Sequence, residues 1–150
     1  MASCKLVWCP KTGEAAGEFF STQLGPLLEK HWDIETARTG IPHGLDVPSF
    51  LAAWEQKGIL LIMAYEADTP VGFLIAYKFR PLFFLNTVLN VERWYAGAPD
   101  VEAAMFEYLA TVIPVMGVDQ VHAVEHDGQR VPDCIKVVTA DSYSMTRLEM

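Results

Sequence analysis

Cysteine is scarce in this chain, with three in 150 residues. Cys4, Cys9 and Cys134 leave one thiol outside any disulfide scheme, so reduced thiols in a cytoplasmic protein are the simpler reading. Cys4 and Cys9 are poorly spaced for zinc and no second cysteine pair follows, which removes the zinc-finger class. Positive charge is also short: 11 Lys and Arg stand against 19 Asp and Glu, a net charge of -8. A general nucleic-acid binder needs a basic face, so that class is disfavoured. Long apolar runs are missing: Ile59 to Ala64 is too short for a membrane span, and Val71 to Leu85 is broken by Lys78, Arg80 and Pro81. The start of the chain lacks the charged-then-apolar pattern of a signal peptide. Without a Gly-x-Ser-x-Gly, Walker or paired-cysteine motif, hydrolase and NTPase readings have no support. No internal repeat, linker or low-complexity tract divides residues 1–150.

What is present is a well-stocked core. Hydrophobic residues make up 51% of the chain, which argues against disorder and suits one domain. Lys5 to Cys9 reads as a first strand. From Glu14 to Trp32, Ala15, Phe19, Leu24, Leu27, Leu28 and Trp32 recur at helical spacing, interrupted at Gly25-Pro26, which predicts a kink or two helices. Thr36 to Val47 reads as a loop. Asp46 or Ser49 caps a second helix through Phe50, Leu51 and Trp54 that ends near Gly58. Ile59 to Glu66 and Val71 to Phe79 are strands about a turn at Ala67 to Pro70, and Leu82 to Trp94 carries a third, an antiparallel meander. Asp100 is the expected cap of a helix presenting Val101, Met105, Tyr108, Leu109 and Val112 on one face, with Pro114 and Gly117 ending it. Val118 to Glu125 is a fourth strand of the sheet, parallel to the third because a helix crosses between them. The tail has room for a helical turn near Pro132 to Val137 and a strand from Ser142 to Leu148. The order is β-α-α-β-β-β-α-β, an α/β or α+β domain with a mixed central sheet flanked by helices.

The most telling stretch is Val91-Glu92-Arg93-Trp94-Tyr95-Ala96-Gly97-Ala98-Pro99-Asp100, a strand-loop-helix junction of the kind that rests a phosphate on helix amides. Val91, Tyr95 and Gly97, the helix positions Met105, Phe106 and Leu109, the turn Gly117-Val118 and the hairpin Ala64 to Phe73 together resemble the GNAT superfamily, the Gcn5-related N-acetyltransferases. The likeness covers roughly residues 58 to 125. It implies a GNAT-like fold and acetyl-CoA as cosubstrate, with Val91, Arg93, Tyr95, Ala96, Gly97, Ala98 and Asp100 around the cofactor. Departures sit in the same loop. Ala96 replaces the family's basic or Gln residue, Pro99 its second glycine and Val101 its third small position. Pro99 has no N–H, and Asp100 places negative charge where an anion should bind. A shifted register, Arg93 to Ala98, fits the loop pattern better and the following helix worse; in either register Arg93 is the available cation. Too little chain follows the last clear strand for the family's usual helix and two strands. The resemblance is to a shortened, diverged member, a form often encoded by phage genomes.

If the chain is an acetyltransferase, the strand before the loop and the strand after the helix must part, so that an acyl-pantetheine pairs there like a strand. Val91 and its neighbours would provide the cleft and a backbone N–H for the carbonyl oxygen. Glu92, at the end of the cleft strand, and His122, on the next strand, are candidate bases. Each also reads as an ordinary residue, Glu92 as a solvated carboxylate and His122 as a half-buried, hydrogen-bonded side chain. Tyr143 is the only tyrosine placed to match the family's general acid. His43, Trp32 and Trp54 fall where the family shapes its acceptor site, with core packing or solvent as the plainer reading. Glu125-His126-Asp127 cannot chelate one ion from a strand, whose successive side chains point to opposite faces, so no metal is expected. Two functions follow. One is an acetyl-CoA-dependent transferase acting on an amine of a protein or small molecule, a cationic acceptor suiting the acidic surface. The other is a catalytically degenerate GNAT-fold module that binds and modulates a partner protein, such as a host enzyme. An edge left uncovered by the short tail predicts a homodimer, which gel filtration as a monomer would exclude.

Overall fold

Strands β2 (Ile59–Glu66) and β3 (Thr69–Phe79) form the middle of the sheet because their central residues are apolar on both faces. The computed structural model describes residues 2–80, 85–125 and 130–132. β2 and β3 pair antiparallel, Ile62 opposite Leu74 and Ala64 opposite Gly72. β1 (Ser3–Leu6) runs antiparallel to β2, and β4 (Val88–Ala96) antiparallel to β3. β5 (Gln120–Ala123) lies parallel to β4, as a helical crossover requires. The spatial order is the order in sequence, β1 to β5.

Two cores sandwich this sheet. On one face, α4 (Pro99–Val112) sets Val101, Met105, Phe106 and Leu109 against Leu74, Ala76, Val91 and Trp94. On the other, Leu61, Met63, Phe73 and Ile75 meet Leu24, Leu27, Leu28, Phe50 and Trp54 from the N-terminal helices. Those helices are α1 (Gly13–Phe19), α2 (Gly25–Thr39) and α3 (Val47–Glu55).

The interruption expected at Gly25-Pro26 takes the form of a π-helical turn, Phe20–Leu24, joining α1 to α2. In an α-helix the Pro26 ring would strike the carbonyl of Thr22, and one wider turn relieves that clash. Gly25 donates its N–H to the Phe20 carbonyl. A Cβ there would sit 2.9 Å from that oxygen, so the position takes glycine. α2 then runs on to Thr39, through residues read as a loop from Thr36. The stop is Gly40, left-handed at φ +70°, whose N–H bonds to the Thr36 carbonyl at 2.8 Å. Asp46 caps α3 as expected, accepting from the Ser49 N–H at 3.2 Å and the Ser49 hydroxyl at 2.7 Å.

Other boundaries move. β1 begins at Ser3, ahead of the expected Lys5, and β5 is trimmed at both ends to Gln120–Ala123. β4 starts at Val88 and reaches Ala96; the expected start at Leu82 falls outside the described residues. Asp100 is not the cap of α4. The cap is Ala98, which offers no side-chain bond, and Asp100 lies within the first turn behind Pro99. Pro114 falls in a short 3-10 turn, Ile113–Val115, and Gly117 turns the chain at φ +67°. The expected strand from Ser142 and nearly all of the helical turn near Pro132 to Val137 lie outside the described residues, with Cys134. Among the described residues no helix is long and apolar enough to cross a membrane.

Candidate functional site

Two irregularities in β4 create the site. The first is a β-bulge. Ile75 stands opposite Arg93 and Ala76 opposite Val91, so Glu92 is an extra residue with no partner on β3. A bulge bends its strand and re-aims side chains, and such bends gather beside active sites. Here it turns two successive side chains to one face. Val91 and Trp94 enter the α4-side core, whereas Glu92 and Arg93 both reach groups on the α2 side. The second irregularity is a split. β4 and β5 pair only from Val88 to Val91, and the last rung is the Val124 N–H to the Val91 carbonyl at 3.0 Å. Beyond it, Glu92 to Ala96 continue with no strand on the β5 side among the described residues. Edge backbone of this kind accepts an extended amide-containing ligand as an added strand.

The bulge sets Glu92 in a polar row. Tyr77, Asn90 and His122 stand opposite one another across β3, β4 and β5, so they share a face. Glu92 Oε2 accepts from the Asn90 amide at 2.8 Å and the Tyr77 hydroxyl at 3.2 Å. His122 is exposed, its Nε2 within 3.1 Å of Gln120 Oε1. The structure thus brings the two candidate bases to one face of neighbouring strands. Tyr143 lies outside the described residues.

Helix α2 walls this face with an ion cluster that sequence reasoning missed. Glu35 is 2% exposed. Its Oε2 lies 2.5 Å from Arg38 and 3.8 Å from Arg93. The Arg93 guanidinium also stands 5.9 Å from the Trp32 ring, which the His43 imidazole stacks on and the His31 ring meets at 4.9 Å. Arg93, expected beside the cofactor loop, is therefore directed into the α2 wall. Among the described residues its ion-pair partner is the Glu35 carboxylate. Trp32 and His43 do fall beside this face, while Trp54 is buried and donates its indole N–H to the Val7 carbonyl at 3.0 Å. A signal for Glu35 existed: Leu24, Leu28, His31 and Glu35 are spaced 4, 3 and 4 apart, all on the buried stripe of one helix. Tyr77 and Asn90 gave none, because only the bulge brings them to Glu92.

The loop residues divide by face as well. Tyr95 stacks on Phe73 on the α2 side, with ring centroids 6.3 Å apart. Ala96 and Ala98 pack on the α4-side core. Gly97 donates its N–H to the Val71 carbonyl at 3.0 Å, and Val101 donates to the Ala98 carbonyl at 3.1 Å. Pro99 has no N–H to give. The amides of Ala98 and Asp100 remain, with Asp100 and Glu102 in the same helical turn. The Glu102 carboxylate accepts from the Trp94 indole at 3.1 Å. The split in the sheet fits the amide-bearing arm of an acyl-pantetheine. The loop fits a pyrophosphate poorly, with only two amides left open and two carboxylates beside them.

A groove of about 410 Å³ opens at the opposite edge of the sheet, lined by Ser3, Cys4, Lys5, Gln23, Tyr65, Ala67 and Asp68. The Tyr65 hydroxyl donates to Gln23 there, and burial pushes both the Tyr65 phenol and the Cys4 thiol up. The thiol stays protonated at neutral pH and supplies no nucleophile.

No family model matches the chain, and no curated protein matches it by sequence. Solved structures do match. A ribosomal-protein-alanine N-acetyltransferase from Brucella melitensis biovar Abortus 2308 is 16% identical at TM-score 0.63, covering 99% of this chain and 100% of its own. An aminoglycoside acetyltransferase from an uncultured soil metagenomic sample, in complex with sisomicin, is 9% identical at TM-score 0.63, covering 97% of each chain. A predicted acetyltransferase with acetyl-CoA from Clostridium acetobutylicum is 12% identical at TM-score 0.62, covering 98% of this chain and 96% of its own. The chain has the fold of the GNAT acetyltransferases, a five-stranded mixed sheet flanked by helices.

Proposed function

We propose that the chain is an N-acyltransferase that moves an acetyl group from a pantetheine thioester, acetyl-CoA being the form in common use, to an amine of a small molecule or protein. One observation carries this reading: the bulge puts the Glu92 carboxylate on the α2 side of the sheet at the point where β4 and β5 part. A thioester arm laid along β4 brings its carbonyl carbon to that point. The amine nitrogen attacks this carbon, and the carbon–sulfur bond breaks. Glu92 takes the amine proton through Oε1, since Oε2 is held by Asn90 and Tyr77. The sulfur leaves as a thiolate and collects a proton, for which Tyr143 is the proposed donor. His122, in the same row, is the proposed relay through water. The net charge of -8 favours a cationic acceptor.

The test is thiol release from acetyl-CoA or acetyl-pantetheine in the presence of a panel of amines, aminoglycosides and Lys-rich peptides among them. Glu92→Gln lowers kcat by roughly 10²–10⁴-fold, the range of general-base catalysis, and leaves donor binding in place. A variant that turns over at the wild-type rate removes Glu92 from the role. The second reading, a degenerate module that binds a partner protein, draws its support from the carboxylates at the loop. It is the one to pursue if no amine promotes thiol release and no donor binds.

A further inference from the structure

We infer that this chain recognises its acyl donor by the pantetheine arm alone, so that a pantetheine thioester without the nucleotide serves as well as acetyl-CoA. The inference rests on the acyltransferase reading and narrows its donor. A phosphate group at a helix start is held by amides that no other acceptor has claimed and by the positive end of the helix dipole. At α4 the protein itself offsets the dipole and claims most of the amides, leaving those of Ala98 and Asp100. The Gly97 amide extends the β3–β4 ladder to the Val71 carbonyl, the Val101 and Glu102 amides close on the Ala98 carbonyl, and Pro99 has none. Asp100 and Glu102 add two carboxylates to the first turn, where they neutralise the dipole that a phosphate would otherwise meet.

The flanking sequence supplies no cation to make up the deficit. The sequence has no lysine or arginine between Arg93 and Arg130. Arg93 is drawn to the α2 side of the sheet by the Glu35 carboxylate and the Trp32 ring. The pantetheine arm asks for none of this. Its amides pair with strand backbone, and among the described residues β4 offers backbone unpaired on its β5 side from Glu92 to Ala96, whatever side chains it carries. The donor site is therefore intact where recognition is made by strand pairing and depleted where it is made by phosphate contacts.

Titration calorimetry of the whole chain with CoA and with pantetheine, at low and at physiological salt, tests this. The expected result is two dissociation constants within about threefold of each other and little weakened by salt, since a bound phosphate is what makes such affinities salt-dependent. The double variant Pro99→Gly, Asp100→Ala restores an amide and removes a carboxylate, and it shifts the ratio toward CoA by about tenfold, the factor for one regained charge-assisted hydrogen bond. Circular dichroism of that variant verifies that α4 persists. CoA binding more than about thirtyfold tighter than pantetheine overturns the inference and leaves the acyltransferase reading standing. Binding of neither ligand at millimolar concentration overturns both.

Discussion

Gly72 is where the architecture is most sensitive to a single added carbon. It lies on β3 opposite Ala96, at the point where α4 crosses the sheet. A Cβ there would stand 2.9 Å from the Tyr95 carbonyl oxygen and 3.1 Å from both Met105 Sδ and Val101 Cγ1. The first is backbone of the adjoining strand and cannot swing away, and Met105 and Val101 are fully buried. Gly72→Ala therefore pushes β3 from β4 or lifts the first turn of α4. Overpacking of this kind costs about 1–3 kcal/mol. The loss of glycine's freedom in the unfolded chain offsets about 0.4–1 kcal/mol. The net is a destabilisation of roughly 1–2 kcal/mol, or a fall in Tm of about 2–8 °C for a chain of this size. Gly17 is the control. It sits inside α1, and a Cβ added there would meet nothing within 4 Å. Gly17→Ala gains helix propensity and raises stability by about 0.5–1 kcal/mol. Thermal and urea unfolding of the two variants reads the opposite signs. A Gly72→Ala protein as stable as the wild type refutes the claim that α4 is seated directly on this glycine.

The Glu35 cluster gives a second asymmetry. Arg38→Ala strips the buried carboxylate of its closest cation and lowers stability by about 2–4 kcal/mol. Arg93→Ala removes a pair at 3.8 Å and one ring contact, a loss of roughly 1 kcal/mol. Equal losses in urea unfolding would contradict the reading that Arg38 is the principal partner. Acid titration tests the cap of α3. The Ser49 hydroxyl and amide hold the Asp46 carboxyl below its usual range. The folded value being lower than the unfolded one, the stabilisation is present above about pH 3.9 and is lost as the pH falls through the folded value. Asp46→Asn keeps the cap without the charge, so the gap in Tm between wild type and variant narrows from about pH 6 to about pH 3. A gap that ignores pH excludes the charged form as the source.

Periodicity and turn chemistry made most of the sheet legible. The bounds of β2 and the end of β3 were readable because apolar runs of strand length are closed there by Glu66 and Arg80, and the parallel β4–β5 step followed from the intervening helix. What escaped reading is what depends on contact across elements. α2 runs past Thr36 because Glu35 is anchored by two arginines and Gly40 supplies the stop, neither of which an apolar pattern registers. Asp100 looked like a cap by residue type, yet Pro99 at the first helical position moves the cap back to Ala98. The bulge at Glu92 has no mark of its own, since one extra residue in a strand of nine changes no composition. Glu92 was nameable as a candidate from its place in the strand, but its alignment with Asn90 and Tyr77 required the register.

The loop before α4 shows how, on the donor reading proposed above, a fold persists while one of its ligand contacts is lost. A helix start that binds phosphate must leave amides bare, and bare amides are a burden whenever the anion is absent. Proline at the first helical position and acids in the first turn are good helix starters for the same reason that they are poor anion hosts: one has no amide to leave bare, and the others answer the dipole. Here Pro99 leaves one amide fewer to satisfy, and Asp100 and Glu102 set negative charge against the positive end of α4, while the amides of Ala98 and Asp100 stay open. On the donor reading proposed above, a nucleotide therefore adds little to the stability of the helix. The split between β4 and β5 works in the opposite way. Its edge, unpaired among the described residues, belongs to strands whose positions are fixed by two cores, so side chains can change without closing it. A ligand that pairs with that edge satisfies backbone groups the fold leaves open, and its binding raises Tm. One that reaches for the loop meets two open amides beside the carboxylates of Asp100 and Glu102.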